Sequence, residues 1–454
     1  MAFALFILYL VLSYIHPGEI VPALAPYRFA YWTGMSGLAV AMVSLLARRR
    51  DVLATIQLWT LMFFAAVLGL SLMVADRWLG APILALQQFG PSLTMFLLAL
   101  CSVTSLSRVR MAAACVIALT VILTLQGAAA YHFGYRARTF LIDGSRMDDD
   151  SLVMNPDDNT APDPADDRAE ETPDDDEGQE PLRIRGLGLM HDPNDLAVGM
   201  IVALGLIGGV WTGRSRVRAI LLGTAGGALV YGVYLTRSRG GAVALAVVLW
   251  RVAARRLGRG AAVALLVALG AGMMALDFGG RSLSMQLDES ASGRVEAWTE
   301  GLEMLKAQPI LGVGYGQFLD HHELTAHNSL VLCFAETGLV GCFLWVGLLV
   351  VTGLELRALR QLPGDETFDR TTKQWAGALQ LSLLGFVTAA FFLSRTFVPT
   401  LYLVIGLSAA LSTIARAAGR SIPLPALPTL GSLVFACEAG SIAVVYAIVK
   451  LHLA

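Results

Sequence analysis

Residues Ser329–Leu354 read SLVLCFAETGLVGCFLWVGLLVVTGL, 26 positions with a single charged side chain, Glu336. One helix of that length and apolarity can cross a ~30 Å hydrocarbon core. Comparable runs lie upstream at Ala2–Ile15, Tyr31–Leu46, Val52–Ala75, Ile83–Val103, Met111–Ala130, Leu187–Trp211, Ala219–Leu235, Gly241–Val252 and Ala261–Leu276. Downstream are Trp375–Leu393, Val398–Ile414 and Leu430–Val449. The first run and Gly241–Val252 are short for a full crossing, so the count is twelve to thirteen spans. Over 454 residues the chain is 56% apolar and 15% charged, with a mean hydropathy of +0.64. A soluble globule would carry about 25% charged residues. The expected fold is an all-α, polytopic transmembrane helix bundle.

The formal net charge of −2 conceals a segregation. Sixteen acidic and two basic residues fall between Asp143 and Glu180, and the remainder of the chain carries a net +12. A basic membrane part suits anionic lipid or phosphate. Nucleic acid is not expected as a partner, because most arginines sit in short connectors between apolar runs. The five cysteines form no CxxC pair and suggest neither a disulfide framework nor a zinc site. Met1–Ile20 has no basic flank or small-residue cleavage site, so it reads as a retained helix.

Lysine and arginine bias orients the bundle. With the N-terminus in the cytoplasm, inner connectors hold 18 of the 33 basic residues and short outer connectors hold five, Arg28, Arg77, Arg237, Arg239 and Arg395. The chain then divides into N-terminal helices (1–130), an acidic periplasmic loop (131–186), central helices (187–276), a second periplasmic loop (277–327) and C-terminal helices (328–454). The acidic stretch within that loop carries Pro156, Pro162, Pro164 and Pro173 and few apolar residues, a composition that predicts disorder. Its Asp clusters lack the spacing of an EF-hand. In the second loop, Val295, Trp298, Leu302 and Leu305 mark an amphipathic helix. Ser292 can cap its start and Pro309 marks its end. This loop is expected to be folded and mostly helical.

Several constellations bear chemistry. His322 and His327 are five apart, about 140° off a common helical face, so His322-Glu323 opens no zinc-protease motif. Gly312-Val313-Gly314-Tyr315-Gly316 lacks the flanks of a P-loop and reads as a tight turn or a backbone contact to phosphate. Arg237 and Arg239 would point about 200° apart on a regular helix; Gly240-Gly241 permits a break that turns both inward. These arginines and Arg395 either snorkel to the interface or bind an anion through guanidinium forks. Asn328 reads as a helix N-cap. The adjacent His327 belongs to the residue type whose ordinary pKa suits proton transfer near neutrality. Glu336, buried in an apolar helix, is paired with an arginine or functional. In His191-Asp192-Pro193-Asn194-Asp195, Asp192 before Pro193 signals a helix start. Arg237, Arg239, Arg294, His327, Arg395 and His191 come from separate places in the chain, yet the charge rule puts them on one side.

From Ser292 to Gly341 the sequence resembles the bacterial O-antigen ligase and O-antigen polymerase family. The matching residues are Ser292-Gly293-Arg294, Trp298, Pro309-Ile310-Leu311-Gly312-Val313-Gly314 with Phe318, Ala326-His327-Asn328-Ser329, and Glu336-Thr337-Gly338 with Gly341. Ser238-Arg239-Gly240-Gly241 matches a second element, and Asp192-Pro193-Asn194-Asp195 looks like a segment of exopolysaccharide-associated members. The resemblance implies an inverting, metal-independent glycosyltransferase of the bacterial inner membrane, with no cofactor. It would take a glycan from undecaprenyl pyrophosphate on the periplasmic face. The acceptor would be another glycan, a lipid A-core sugar or a protein hydroxyl. The acidic insertion is not part of the family pattern.

The residues make chemical sense of that reaction. Arg237, Arg239 and Arg395 would stabilise the charge growing on pyrophosphate as the glycosidic bond breaks. His327 would accept the proton of the attacking hydroxyl. Arg294 would hold a phosphate or orient the loop, with Glu336, Asn328, His191 and Asp192 in support. A lipid-carrier transporter is the competing class, but the internal repeats expected of many transporters are not seen in the sequence. A structural scaffold leaves the outward His and Arg residues without a role.

Overall fold

Hydrocarbon offers no water to backbone N–H and C=O groups, so a spanning chain closes its hydrogen bonds within helices or closed barrels. This chain takes the helical solution. The computed structural model describes residues 1–47, 52–142, 182–211, 215–258, 260–261, 263–265, 267 and 283–452. Its first long helices are α1 (Ala2–Ile15), α2 (Phe29–Ala47), α3 (Ile56–Asp76), α4 (Ala81–Ser102) and α5 (Leu106–Phe133). Then come α6 (Pro193–Val210), α7 (Arg216–Leu235), α8 (Arg239–Arg256) and α9 (Leu283–Ala307). The C-terminal part contains α10 (Ser329–Arg360), α11 (Thr367–Ala390), α12 (Pro399–Ala417) and α13 (Leu427–His452).

Among the described residues, nine helices are long and apolar enough to cross a membrane: α1 with its extension to Ile20, α3 to α7, α10, α12 and α13. The all-α polytopic expectation holds, but twelve to thirteen spans exceeds this count. Helix α8 carries Arg251, Arg255 and Arg256 near its end, and α11 opens with Asp369, Arg370 and Lys373, which shortens their apolar stretches. The run Ala261–Leu276 lies largely outside the described residues.

Two sequence boundaries are corrected. Helix α9 begins at Leu283, so Ser292 lies inside it and is not its cap. The upstream residues Leu283, Met285, Gln286 and Leu287 are good helix formers and extend it. Its amphipathic face is as expected, with Val295, Trp298 and Leu302 buried and Glu296 and Glu303 exposed. The edges of the acidic loop are also ordered. Strands β1 (Leu141–Ile142) and β2 (Arg183–Ile184) pair antiparallel, Leu141 opposite Ile184, and join the two ends of the insertion. Residues 143–181, where disorder is expected, lie outside the described residues.

The central packing relies on small residues, which let helix backbones approach. A Cβ on Gly209 of α6 would sit 2.4 Å from the Trp375 ring of α11, and one on Gly205 would sit 2.3 Å from Ser382 Oγ. Ser382 Oγ donates across the same contact to Val202 O at 2.8 Å. Helix α12 is apolar on nearly every side and correspondingly buried on nearly every side.

Helix α10 is broken at Gly338, whose φ of 63° is left-handed. The break frees carbonyls on one side and amides on the other, and the segment after α9 satisfies both. Val313 N and Gly314 N donate to Ala335 O (2.9 Å) and Glu336 O (3.2 Å), while Leu339 N and Val340 N donate to Pro309 O (2.9 Å) and Ile310 O (3.3 Å). Ser71 of α3 adds bonds from its hydroxyl to Leu311 O (2.7 Å) and Glu336 O (2.6 Å). Only glycine fits at the two contact points. A Cβ on Gly338 would meet Ile310 C and O at 2.4 Å, and one on Gly312 would meet Glu336 C at 2.3 Å. The glycine-rich segment is therefore a turn docked on a broken helix, and its Val313 and Gly314 amides are already used.

Contacts sort the connectors into two ends. At one end His132 bonds Tyr231, Thr325 bonds Ser394, and Ser238 bonds Asn194. At the other, Gln57 and Arg416 meet Glu355, and Arg420 meets Asp369.

Candidate active site

The His327 strap forms where α9, α10 and the α11–α12 turn meet. Asn328 is the N-cap of α10, its Oδ1 accepting from Leu330 N (2.9 Å) and Val331 N (3.2 Å). Before it, His327 takes φ 45°, a conformation that few non-glycine residues adopt. The surroundings hold it there. Trp298 of α9 donates its Nε1–H to Ala326 O at 2.9 Å. Thr325 Oγ1 donates to Ser394 Oγ at 2.8 Å. Ser329 Oγ donates to Leu393 O (2.6 Å) and accepts from Arg395 N (2.7 Å), while Thr396 Oγ1 donates to Ser329 O (2.6 Å). His327 is half-buried within this frame.

Asp192, Asn194 and Asp195 tie α6 into the same frame. Asp192 caps α6, its Oδ1 accepting from Asn194 N (2.6 Å) and Asp195 N (3.3 Å). Both carboxylates also meet the buried Arg395, Asp192 Oδ1 at 3.1 Å from Nη2 and Asp195 Oδ1 at 2.5 Å from Nε. Burial opposes the Arg395 charge, but Asp195 and Asp192 outweigh it and hold its pKa above the ordinary arginine value. The pairing and burial exclude snorkelling to the interface and favour a structural role over a pyrophosphate clamp. Arg395 is a neutralised strut joining α6 to the α11–α12 turn. Asn194 Oδ1 accepts from Ser238 Oγ at 2.7 Å and from Arg183 Nη2 at 3.4 Å, and Arg183 Nε also donates to Thr236 O at 2.8 Å.

Ser238 caps α8 by accepting from Gly241 N at 3.1 Å. The break expected at the glycine pair instead falls at Arg237, with φ 52°. Gly240 and Gly241 lie inside α8 and allow close packing, since a Cβ on Gly241 would stand 2.8 Å from Ala197 Cβ. Arg237 lies with its guanidinium 4.8 Å from the Tyr234 ring centroid, and its Nε is buried without a hydrogen-bond partner among the described residues. Arg239 starts α8 and lies in the electrostatic field of Arg294. Burial and then the Arg239 charge depress the Arg294 pKa below its ordinary value. Arg294 stands one turn before Trp298 on α9, so two like charges from different elements converge beside the His327 strap.

Two supporting residues have structural partners. Glu336 is buried, but no arginine pairs with it among the described residues; its Oε1 accepts from Phe318 N at 3.3 Å and so holds the turn below α9. Of the two readings of Glu336, arginine pairing has no support among the described residues, where a backbone amide of that turn is the partner, and a functional role stays a proposal. His191 donates from Nδ1 to Gly188 O at 3.1 Å, beside the Asp192–Asp195 carboxylates. His322 bonds its own loop at Leu324. Among the described residues, no group of three or more His, Cys, Asp and Glu side chains is arranged to hold a metal.

Residues 225–346, from within α7 into α10, match the family model described as O-antigen ligase. That stretch of the chain is similar to the O-antigen ligase domain. A search of curated proteins returns no match. The domain supports O-antigen ligase/polymerase-type function in surface-polysaccharide biosynthesis, carried out by a multi-pass membrane protein of glycosyltransferase type. It implies a lipid-linked glycan donor and a polysaccharide acceptor. Arg237, Arg239, Arg294 and His327 lie within the matched O-antigen ligase segment, whereas Asp192, Asp195, Arg183 and Arg395 lie outside it and join through the fold. Sequence reading missed Arg183, Asn194, Asp195 and Ser238 as a connected group. The nearest signal was Asp192–Asp195 occurring at a helix start, which capping alone explains.

Proposed function

We propose that the protein transfers a glycan from undecaprenyl pyrophosphate to an acceptor hydroxyl, on the periplasmic face of the bacterial inner membrane. The acceptor oxygen attacks the anomeric carbon, the bond from that carbon to the pyrophosphate oxygen breaks with inversion, and His327 takes the hydroxyl proton. Undecaprenyl pyrophosphate leaves with the bonding electron pair. Arg237, Arg239 and Arg294 stabilise the charge that grows on it, the role preorganised cations serve when a metal is not used. Arg395, Asp192 and Asp195 position the frame. The acceptor is another glycan, a lipid A-core sugar or a protein hydroxyl. Periplasmic placement is supported by the Lys/Arg bias, which assigns the end that carries His327 to the outside.

The observation that carries this reading is the gathering of Arg239 and Arg294 beside the strap that fixes His327. Like charges held together suit a multiply charged anion. The test is transfer by the purified protein from a defined undecaprenyl-pyrophosphate-linked donor to a defined acceptor. Transfer that is lost in both His327→Ala and Arg239→Ala, with donor binding kept only in the former, supports the roles. Near-normal turnover in His327→Ala removes the base assignment.

A further inference from the structure

The opposite end of the bundle holds a second convergence of arginines, remote from the site above. Most cations there that approach carboxylates are paired: Arg416 with Glu355, Arg420 with Asp369 and Glu366, and Lys373 with Asp365 at 3.8 Å. Three are not. Arg251 and Arg255 are four apart on α8 and share one helical face. Arg360 ends α10 and reaches across α11, its Nη1 at 2.5 Å from Gln380 Oε1. It lies over Gly377 of α11, where an added Cβ would stand 3.8 Å from Arg360 Nε. Helix α11 packs against both α8 and α10. It therefore lies between Arg251 and Arg255 of α8 on one side and Arg360 of α10 on the other, a placement we read as a basic groove. Each of the three lies in the field of at least one of the others, and none has a carboxylate partner among the described residues.

Holding three guanidinium groups together without a counter-charge opposes folding, unless an anion completes the site. The groove lies where spanning helices end, at headgroup depth, on the end that the Lys/Arg bias assigns to the cytoplasm. Anionic phospholipid headgroups are the abundant phosphate groups there, and basic pockets between transmembrane helices on that side are suited to them. We propose that Arg251, Arg255 and Arg360, converging over Gly377, bind the phosphate of an anionic phospholipid headgroup in the cytoplasmic leaflet. Lipid held there braces α8 against α10 through α11. This site is independent of the glycan-transfer reading.

The test uses the full-length protein, delipidated in detergent and titrated with phosphatidylglycerol or phosphatidylcholine of identical chains, with bound lipid read by native mass spectrometry. Three basic contacts predict roughly a 100-fold preference for phosphatidylglycerol. The Arg251→Gln/Arg255→Gln/Arg360→Gln variant should lose most of that preference. Arg216→Gln/Arg256→Gln/Arg357→Gln removes three exposed charges from the same end and should keep it. Gly377→Leu fills the floor without removing charge and should weaken binding even if the triple variant fails to fold. Equal retention of the two lipids by the natural protein overturns the proposal. So does equal loss in the groove and control variants, which would indicate a diffuse charge effect. Full displacement of phosphatidylglycerol by excess inorganic phosphate, with phosphate alone giving the same thermal stabilisation, also overturns the lipid assignment.

Discussion

His327 combines two features that substitution separates: an imidazole and a backbone at φ 45°. Holding a non-glycine residue there costs on the order of 1–3 kcal/mol. His327→Gly relieves that cost and removes the ring, whereas His327→Ala removes only the ring. If the ring is the base, both lower turnover by about 10²–10⁴-fold while donor binding persists. Turnover retained in the glycine variant would mean that the backbone, not the imidazole, matters. Arg239→Ala should weaken donor binding as well as turnover, and Arg239→Lys should restore only part, since a point charge replaces a bidentate fork. Arg395 belongs to a different class. Arg395→Met strands Asp192 and Asp195 in a buried site, and removing one side of a buried ion pair costs about 3–5 kcal/mol. The expected result is a clear drop in melting temperature in detergent. Adding Asp192→Asn and Asp195→Asn should recover part of it, whereas a direct pyrophosphate ligand would show its main loss in donor affinity.

The broken α10 converts two separate sequence motifs into one element. Pro309–Gly314 pairs its backbone with Ala335–Val340, and Gly312 and Gly338 stand at the two contact points. Gly338→Ala places a Cβ against the Ile310 carbonyl and strains a left-handed φ at once. It should destabilise the protein more than Gly353→Ala, which meets nothing within 4 Å on the same helix. Paired thermal melts compare the two. A smaller effect at Gly338 than at Gly353 would refute the docked-turn account. At the α6–α11 contact, Gly209→Val should force Trp375 aside and shift the Asp192–Arg395 bridge by moving one helix that carries it. Activity should fall with stability there, although Gly209 is at the far end of α6 from Asp192.

Across the whole molecule, connectors bearing Asp320 and Asp365 lie at opposite ends of the bundle. Reporter fusions should place Asp320 in the periplasm and Asp365 in the cytoplasm. A cytoplasmic Asp320 would separate His327 from a periplasmic donor and end the proposed reaction. Residues 148–180 contain no candidate site residue, and β1 and β2 bring the flanks of the insertion together. Deleting Asp148–Glu180 should leave transfer within a few-fold of normal, and complete loss in a protein that still inserts would assign that segment to substrate or partner binding. Transfer should also survive EDTA; a strict metal requirement would sink the arginine mechanism.

Local chemistry determined much of this in the sequence itself. Apolar runs of spanning length required helices, because the backbone has no other partner in hydrocarbon. Asp192 and Asn328 declared their capping roles through short-range hydrogen bonds, and the spacing of Val295, Trp298 and Leu302 gave the buried face of α9. The tertiary structure decided which charges are neutralised. Arg395 looked equivalent to Arg237 and Arg239, since all are arginines in outer connectors. Its carboxylate partners lie about 200 residues earlier in the chain, and only the packing of α6 on α11 brings them together. Glu336 followed the same logic, its partner being an amide of a loop rather than an arginine. Charge pairing acts over a few ångströms in space, and sequence spacing does not carry that distance once helices from far apart in the chain pack together.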